Sequence, residues 1–294
     1  MDVARLKRIL LGDFTLKRLV RSMFTVAALT YLGVFLYANL AADRMIFLPP
    51  PASYQDSAQI IKLATDDGEK ISAIYLPNRA GARYTILYSH GNAEDIGQLV
   101  PLLAEIRDFG FNVFAYDYRG YGTSTGKPTE QGVYRDIDAA YRYLVNDRHV
   151  PPAQIIALGR SLGGGAAVDL AQKRPLGGLI IESSFVSAYR LMTRIPLFPF
   201  DKFNNLAKLK QVHCPVLVVH GRSDEVIPFW HGERLFQAAN APKRSYWVEG
   251  AGHNNLFEVA GAGYSEALRG FAGLVSANQP PTQTAGMGAG RSGS

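Results

Sequence analysis

The distribution of apolar and charged positions divides the chain into unequal parts. From Ser22 to Ala42 there is no charged residue, and the run includes Met23, Phe24, Val26, Leu29, Leu32, Phe35 and Leu40. Coiled as a helix at about 1.5 Å per residue, it spans roughly 30 Å, the thickness of a bilayer's hydrocarbon core. A buried helix of a soluble protein rarely stays uncharged for so long. A cleaved signal peptide would be cut near the small residues Ala38 to Ala42, but the apolar run exceeds the usual ~7–15 residues of a signal core. A retained membrane anchor over 22–42 is the expected reading. Residues 43–51, ending in Phe47-Leu48-Pro49-Pro50-Pro51, then read as a stiff extended linker, since proline fixes φ and removes donors. Residues 275–294 are rich in Gly, Ser, Thr and Pro and are expected to be disordered. This leaves 52–274 as one folded domain.

Within that domain, β-rich apolar runs alternate with helical patterns. Strands are predicted at 58–65, 70–76, 84–90, 111–117, 154–159, 177–182, 215–220 and 244–249. The last six are nearly continuous apolar runs, as strands covered on both faces require. Val133, Ile137, Ala140 and Leu144 recur at helical spacing, and helices also fit 94–109, 162–173, 229–240 and 256–273. Repeated strand–helix order predicts an α/β fold with a mostly parallel central sheet and right-handed crossovers. Functional groups in such folds gather at the carboxyl ends of the strands.

Charge refines this picture. The net charge is +6, and residues 1–21 hold six basic residues (Arg5, Lys7, Arg8, Lys17, Arg18, Arg21) against Asp2 and Asp13. About two thirds of the excess therefore lies beside the apolar run, whereas a nucleic-acid binder carries its basic stripe on the folded body. Nucleic acid is not an expected partner. The bias of Lys and Arg toward the cytoplasm places residues 1–21 inside the cell and the folded domain outside the cytoplasm. The single cysteine, Cys214, excludes an intramolecular disulfide and a zinc-cysteine cluster.

One constellation carries chemistry. Gly159-Arg160-Ser161-Leu162-Gly163 is a G-x-S-x-G between a predicted strand and a predicted helix, where a sharp turn would project the Ser161 hydroxyl. A serine hydroxyl becomes nucleophilic when a base takes its proton and a third group orients that base. Asp224 follows the run PVLVVH, and His253 follows the next run, RSYWVE, so nucleophile, acid and base occupy strand ends in the order this architecture requires. Glu182 also ends a strand and is the alternative acid, while Glu225 is expected to turn away from the imidazole. For a developing oxyanion, one backbone N–H would come from Leu162. The other would come from the loop Ser89-His90-Gly91-Asn92-Ala93, with Asn92 favoured and Ala93 open. His90 is read as positioning that loop; Asp117-Tyr118-Arg119-Gly120-Tyr121-Gly122 is read as turn structure in which Tyr118 or Arg119 has access to substrate. No metal or cofactor is expected.

Together SHGNAED (89–95), YDYRGYGTSTGKPTE (116–130), GRSLGGG (159–165), VHGRSDEVIP (219–228) and WVEGAGHN (247–254) resemble the α/β-hydrolase superfamily. More narrowly they resemble its membrane-anchored abhydrolase-domain branch, which includes protein depalmitoylases and bacterial single-span serine hydrolases. The resemblance implies that Ser161, Asp224 and His253 form a catalytic triad acting on an ester or thioester. Depalmitoylase members attach through an N-terminal cysteine cluster, which this chain lacks. Residues 185–212 fall where such folds insert a cap. There Phe185, Leu191, Met192, Ile195, Leu197, Phe198, Phe200 and Phe203 alternate with Arg190, Arg194, Lys202, Lys208 and Lys210, which suits either a two-faced covering layer or an acyl channel with a basic rim. The expected activity is hydrolysis of small or lipid-like acyl esters. A non-catalytic tethered scaffold and a small-peptide hydrolase are the alternatives.

Overall fold

The computed structural model describes residues 2, 15–193, 195 and 198–279. It divides into two compact units, residues 1–46 and 47–294. The first contributes one helix, α1 (Leu16–Ile46), which is longer than the predicted 22–42. At 31 residues it extends about 46 Å. Its central window reaches a mean hydropathy of 1.7, and it is the one helix among the described residues long and apolar enough to cross a membrane. The added turns carry Lys17, Arg18 and Arg21 at one end and Asp43 and Arg44 at the other. Arg5, Lys7 and Arg8 lie outside the described residues.

The second unit is built on an eight-stranded sheet in the order β1-β2-β4-β3-β5-β6-β7-β8. The strands are β1 (Ile61–Ala64), β2 (Lys70–Leu76), β3 (Thr85–Ser89), β4 (Asn112–Tyr116), β5 (Ile155–Arg160), β6 (Gly178–Glu182), β7 (Val216–Gly221) and β8 (Lys243–Val248). β1 pairs antiparallel with β2, and β2 antiparallel with β4; from β4 onward every pairing is parallel. Every residue of β3, β6 and β7 is buried, as their unbroken apolar runs require.

Helices α2 (Ile96–Asp108) and α8 (Ala262–Ala277) cover one sheet face, packing Leu103, Ile106, Leu268 and Phe271 with Ile86, Tyr88, Ile156 and Leu217. Each fully buried aliphatic side chain of this layer stabilises the fold by about 1.5–3 kcal/mol. The opposite face meets α3 (Glu130–Arg142), α4 (Gly163–Lys173) and α6 (Trp230–Ala238), with Phe114 of β4 stacked on Tyr143 at 5.4 Å. Asp95 caps α2 and Thr129 caps α3, through Gln98 N–H at 3.1 Å and Gly132 N–H at 3.0 Å.

Several expected boundaries are corrected. The single helix predicted at 256–273 is two, α7 (Leu256–Ala260) and α8, because Gly261 at φ 51° breaks the run while the apolar spacing continues across it. Chain read as a linker is helical to Ile46, and Phe47 already belongs to the folded unit with only 4% of its surface exposed. The expected tail start also moves: α8 continues to Ala277, Val275 is buried, and Gln279 accepts from Arg83 Nη2 at 2.8 Å. Residues 280–294 lie outside the described residues.

The cap segment contains a 3-10 turn (Tyr189–Leu191) and the short α5 (Asn205–Leu209). Phe185 and Phe203 are core residues, not channel walls: Phe203 is fully buried against Phe185, Tyr134 and Phe47. Lys208 is not a free rim charge either. Its ammonium lies 2.6 Å from the buried Asp169 carboxylate and 3.7 Å from the Tyr134 ring centroid. Arg194 and Leu197 lie outside the described residues. Leu191, Met192 and Ile195 remain exposed.

At the head of α4 a side chain on Gly163 would place its Cβ 2.0 Å from the Ser89 carbonyl oxygen. Gly163→Ala is therefore expected to destabilise the domain by at least about 1–3 kcal/mol. Gly273→Ala, on the exposed side of α8 with nothing within 4 Å, should stabilise it by about 0.5–1 kcal/mol. Thermal denaturation of the two variants checks both signs.

Candidate active site

The site forms at the carboxyl ends of β3, β5, β7 and β8. Between β5 and α4 the chain reverses within a few residues, and Ser161 takes φ 52°, a left-handed conformation costly for a residue with a Cβ. Ser161 N–H donates to Glu182 O at 2.8 Å, and Ser184 Oγ donates to Ser161 O at 2.7 Å, so both peptide groups at the turn are held from β6 and its following loop. Leu162 follows directly at the N-cap of α4.

Asp224 lies in the turn after β7 with its carboxylate fully buried. Oδ1 accepts from the N–H groups of Val226 at 3.0 Å and Ile227 at 2.7 Å. Oδ2 lies 2.9 Å from His253 Nδ1, and His253 Nε2 lies 3.0 Å from Ser161 Oγ. Burial pushes the Asp224 carboxyl up, but the His253 hydrogen bond and the Ile227 N–H outweigh it, and the group is held below the usual carboxylate range. An ionised acceptor at Nδ1 fixes that nitrogen as the donor, which leaves the Nε2 lone pair facing the hydroxyl. The arrangement can accept a proton from Ser161 while balancing the charge that develops on the imidazole.

Glu182, the alternative acid, is committed elsewhere. It accepts from Tyr264 Oη at 2.6 Å and lies 3.8 Å from Arg160 Nε; burial pushes its carboxyl up. Glu225 turns back toward the histidine loop, where Oε2 accepts from the His253 backbone N–H at 3.4 Å, not from the imidazole.

The loop after β3 is fixed from several sides. Ala93 takes φ 59°, and Asn92 Oδ1 accepts from Ala93 N–H at 3.1 Å, Leu48 N–H at 3.0 Å and Tyr121 Oη at 2.6 Å. His90 is buried, its Nε2 3.3 Å from Asp117 Oδ1, and its carbonyl accepts from Tyr118 Oη at 2.6 Å. Burial pushes the His90 imidazole toward neutrality, but Asp117 prevails and lifts its pKa. Tyr118 and Arg119 are both buried, which corrects the reading that gave them access to substrate. Arg119 is held by Asp136 at 2.9 Å and Asp67 at 2.8 Å.

Arg160, the variable position before the serine, escaped the sequence reading. Its Nη1 lies 3.0 Å from both Glu94 oxygens, and its Nη2 donates to His253 O at 3.3 Å and Asn254 Oδ1 at 3.4 Å. Glu94 Oε1 in turn accepts from Gly91 N–H at 2.5 Å. One guanidinium thus ties the loops after β3, β5 and β8. The signal was an Arg and a Glu standing at strand ends, but only the tertiary fold pairs them. Among the described residues, no group of three or more His, Cys, Asp or Glu is placed to hold a metal ion.

Comparison with known proteins agrees with this architecture. Residues 80–208 match the serine aminopeptidase S33 family. The chain is 38% identical over 260 residues to alpha/beta hydrolase domain-containing protein 17B of Homo sapiens, covering 78% of this chain and 90% of that protein. The chain belongs to the α/β-hydrolase superfamily, in its abhydrolase-domain branch. The hydrolase is also 41% identical over 207 residues to alpha/beta hydrolase domain-containing protein aho-3 of Caenorhabditis elegans, covering 67% of this chain and 58% of that one. Esterase Pf2001 of Pyrococcus furiosus shares the fold with a TM-score of 0.66 at 18% identity, over 78% of this chain and 97% of the esterase. The hydrolase is of the serine-hydrolase type.

Glu94 and Arg160 are each only 16% exposed at the side chain. Glu94→Gln removes the nearer carboxylate from the guanidinium, leaving it Glu182 at 3.8 Å and two neutral acceptors, and is expected to lower unfolding free energy by about 3 kcal/mol. Denaturant titration checks this; a loss well under about 1 kcal/mol would show a solvent-screened pair.

Proposed function

We propose that this protein is a membrane-anchored serine hydrolase that cleaves carboxylic esters or thioesters through an acyl-enzyme on Ser161. The observation that carries the reading is His253, whose two ring nitrogens lie 2.9 Å from Asp224 and 3.0 Å from Ser161. Ser161 Oγ attacks the acyl carbonyl carbon as its proton passes to His253 Nε2. Asp224 stays ionised and balances the imidazolium. The carbonyl oxygen takes the negative charge and is met by the N–H groups of Leu162 and Asn92. Collapse breaks the bond to the alcohol or thiol, which leaves with the proton from His253. Water, deprotonated by the same imidazole, then releases the acid and regenerates the hydroxyl.

The cap, where Leu191, Met192 and Ile195 are exposed, suits an open pocket for a small or lipid-like acyl group. α1 serves as a retained single-span anchor. The Lys and Arg excess before it keeps the N-terminus in the cytoplasm and the catalytic domain outside it. The match to the serine aminopeptidase family favours peptide hydrolysis as a second reading, since the same triad chemistry breaks amides. A panel of p-nitrophenyl esters, acyl thioesters and aminoacyl p-nitroanilides separates the two.

Ser161→Ala is expected to cut kcat on a short-chain p-nitrophenyl ester by roughly 10⁴–10⁶-fold and abolish fluorophosphonate labelling, with the fold retained. Undiminished turnover in that variant would remove the assignment. Asp224→Asn should cost several orders of magnitude and Glu182→Gln should not; the opposite ranking would move the acid to Glu182. A reporter enzyme fused after the domain should be active only outside the cytoplasm, and cytoplasmic activity would reverse the topology.

A further inference from the structure

Residues 47–54 are docked by side-chain packing and hydrogen bonds, several of them to the loop after β3. Phe47, the first residue of the folded unit, is 4% exposed and packs edge-on against Phe203 with ring centroids 6.0 Å apart. Leu48 N–H points at two acceptors, Asn92 Oδ1 at 3.0 Å and Tyr121 Oη at 3.1 Å, and Tyr121 Oη passes its own hydrogen to Asn92 Oδ1 at 2.6 Å. Three prolines follow, which offer no N–H and hold a narrow φ range, so the segment is stiff between its docking points. The second docking point is Ser53, whose N–H donates to Asp95 Oδ2 at 2.7 Å and whose hydroxyl donates to Asp95 Oδ1. Tyr54 Oη then donates to Asp117 Oδ2 at 2.5 Å. The segment therefore grips the loop after β3 at Asn92 and at Asp95, on both sides of the positive-φ turn at Ala93.

We propose that residues 47–54 are a strap that sets the oxyanion donor, with Phe47 and Tyr121 as positioning residues acting through the Asn92 side chain. The proposal rests on the reading in which Asn92 N–H meets the oxyanion. Pinning Oδ1 from the strap and from Tyr121 fixes the Asn92 Cα and, with it, the direction of its own N–H. A donor acts on the transition state only when aimed in advance, and loss of a whole donor costs about 10²–10³ in kcat. Loss of aim costs less and falls on kcat, because the ground-state carbonyl makes little use of the donor.

The test uses the full chain in detergent micelles. Phe47→Ala and Tyr121→Phe should each lower kcat by about 10-fold with KM within about twofold. Affinity for an acyl trifluoromethyl ketone, whose Ser161 adduct carries an oxyanion, should fall by the same factor, while a non-hydrolysable ether analogue should bind unchanged. Asn92→Ala should reproduce the loss, and adding Phe47→Ala to it should cause no further decrease. Unchanged kcat and adduct affinity in Tyr121→Phe would overturn the proposal, as would a Phe47→Ala effect that persists in full on the Asn92→Ala background. Tyr121→Phe removes one buried oxygen and decides the question even where Phe47→Ala fails to fold. Undiminished turnover in Ser161→Ala would defeat the underlying reading instead, so the two failures are separable.

Discussion

The backbone contact between the head of α4 and the end of β3 constrains everything around it. A Cβ at Gly163 would sit 2.0 Å from Ser89 O, and one at Gly159 would sit 2.3 Å from Gly163 O, so the chain can pass only where both residues lack side chains. That proximity forces the reversal between β5 and α4 into a tight turn and drives Ser161 to φ 52°. The strain is tolerated because surrounding structure over-determines the turn: Glu182 O holds the Ser161 N–H, and Ser184 holds its carbonyl. It also brings the loop after β3 beside Ser161, so that one constraint places both the hydroxyl and the segment proposed to face the oxyanion.

Strand ends give positions, but not orientation. Four separate loops contribute to the site, and each would move independently if only the sheet held it. Arg160 bridges three of them through Glu94, His253 O and Asn254. The cost of burying that guanidinium is offset by Glu94 and Glu182, and the geometry is specific because its nitrogens point in fixed directions. The loop after β7 is organised separately, by Asp224 accepting from two N–H groups of its own turn while Glu225 reaches back to the His253 N–H. Orientation of the imidazole thus comes from its ring partner and from the hydrogen bonds on its own backbone N–H and carbonyl.

Much of this was legible in the residues. Unbroken apolar runs such as Ile155–Leu158 and Val216–Val219 can be buried only between two helical layers, and their order along the chain implies the parallel pairing found from β4 to β8. The positions of Ser161, Asp224 and His253 at the ends of β5, β7 and β8 were readable for the same reason: once the strands are placed, the loops after them must lie along one edge. What stayed hidden depends on tertiary distance. Lys208 and Phe203 matched an amphipathic cap by composition, yet Asp169 and Tyr134 draw both inward. Gly261 breaks a helix whose apolar period continues past it, because a backbone dihedral leaves no trace in side-chain periodicity.

The strap was hidden by a different cause. Phe47-Leu48-Pro49-Pro50-Pro51 has the composition of a spacer, since prolines cannot join a ladder and stiff extended chain is what linkers use. The same properties suit a segment laid across a surface: its conformational entropy is low before docking, so little is lost when Leu48 and Ser53 find their partners. Composition alone cannot separate these uses, because both need a chain that forms no regular structure of its own. The difference lies in the receiving surface, where Asn92, Tyr121 and Asp95 present oxygens to the strap's N–H groups. A spacer must leave such groups to water. Here they are satisfied by Asn92, Tyr121 and Asp95, so the chain that follows the apolar helix is docked on the domain and not left as a spacer.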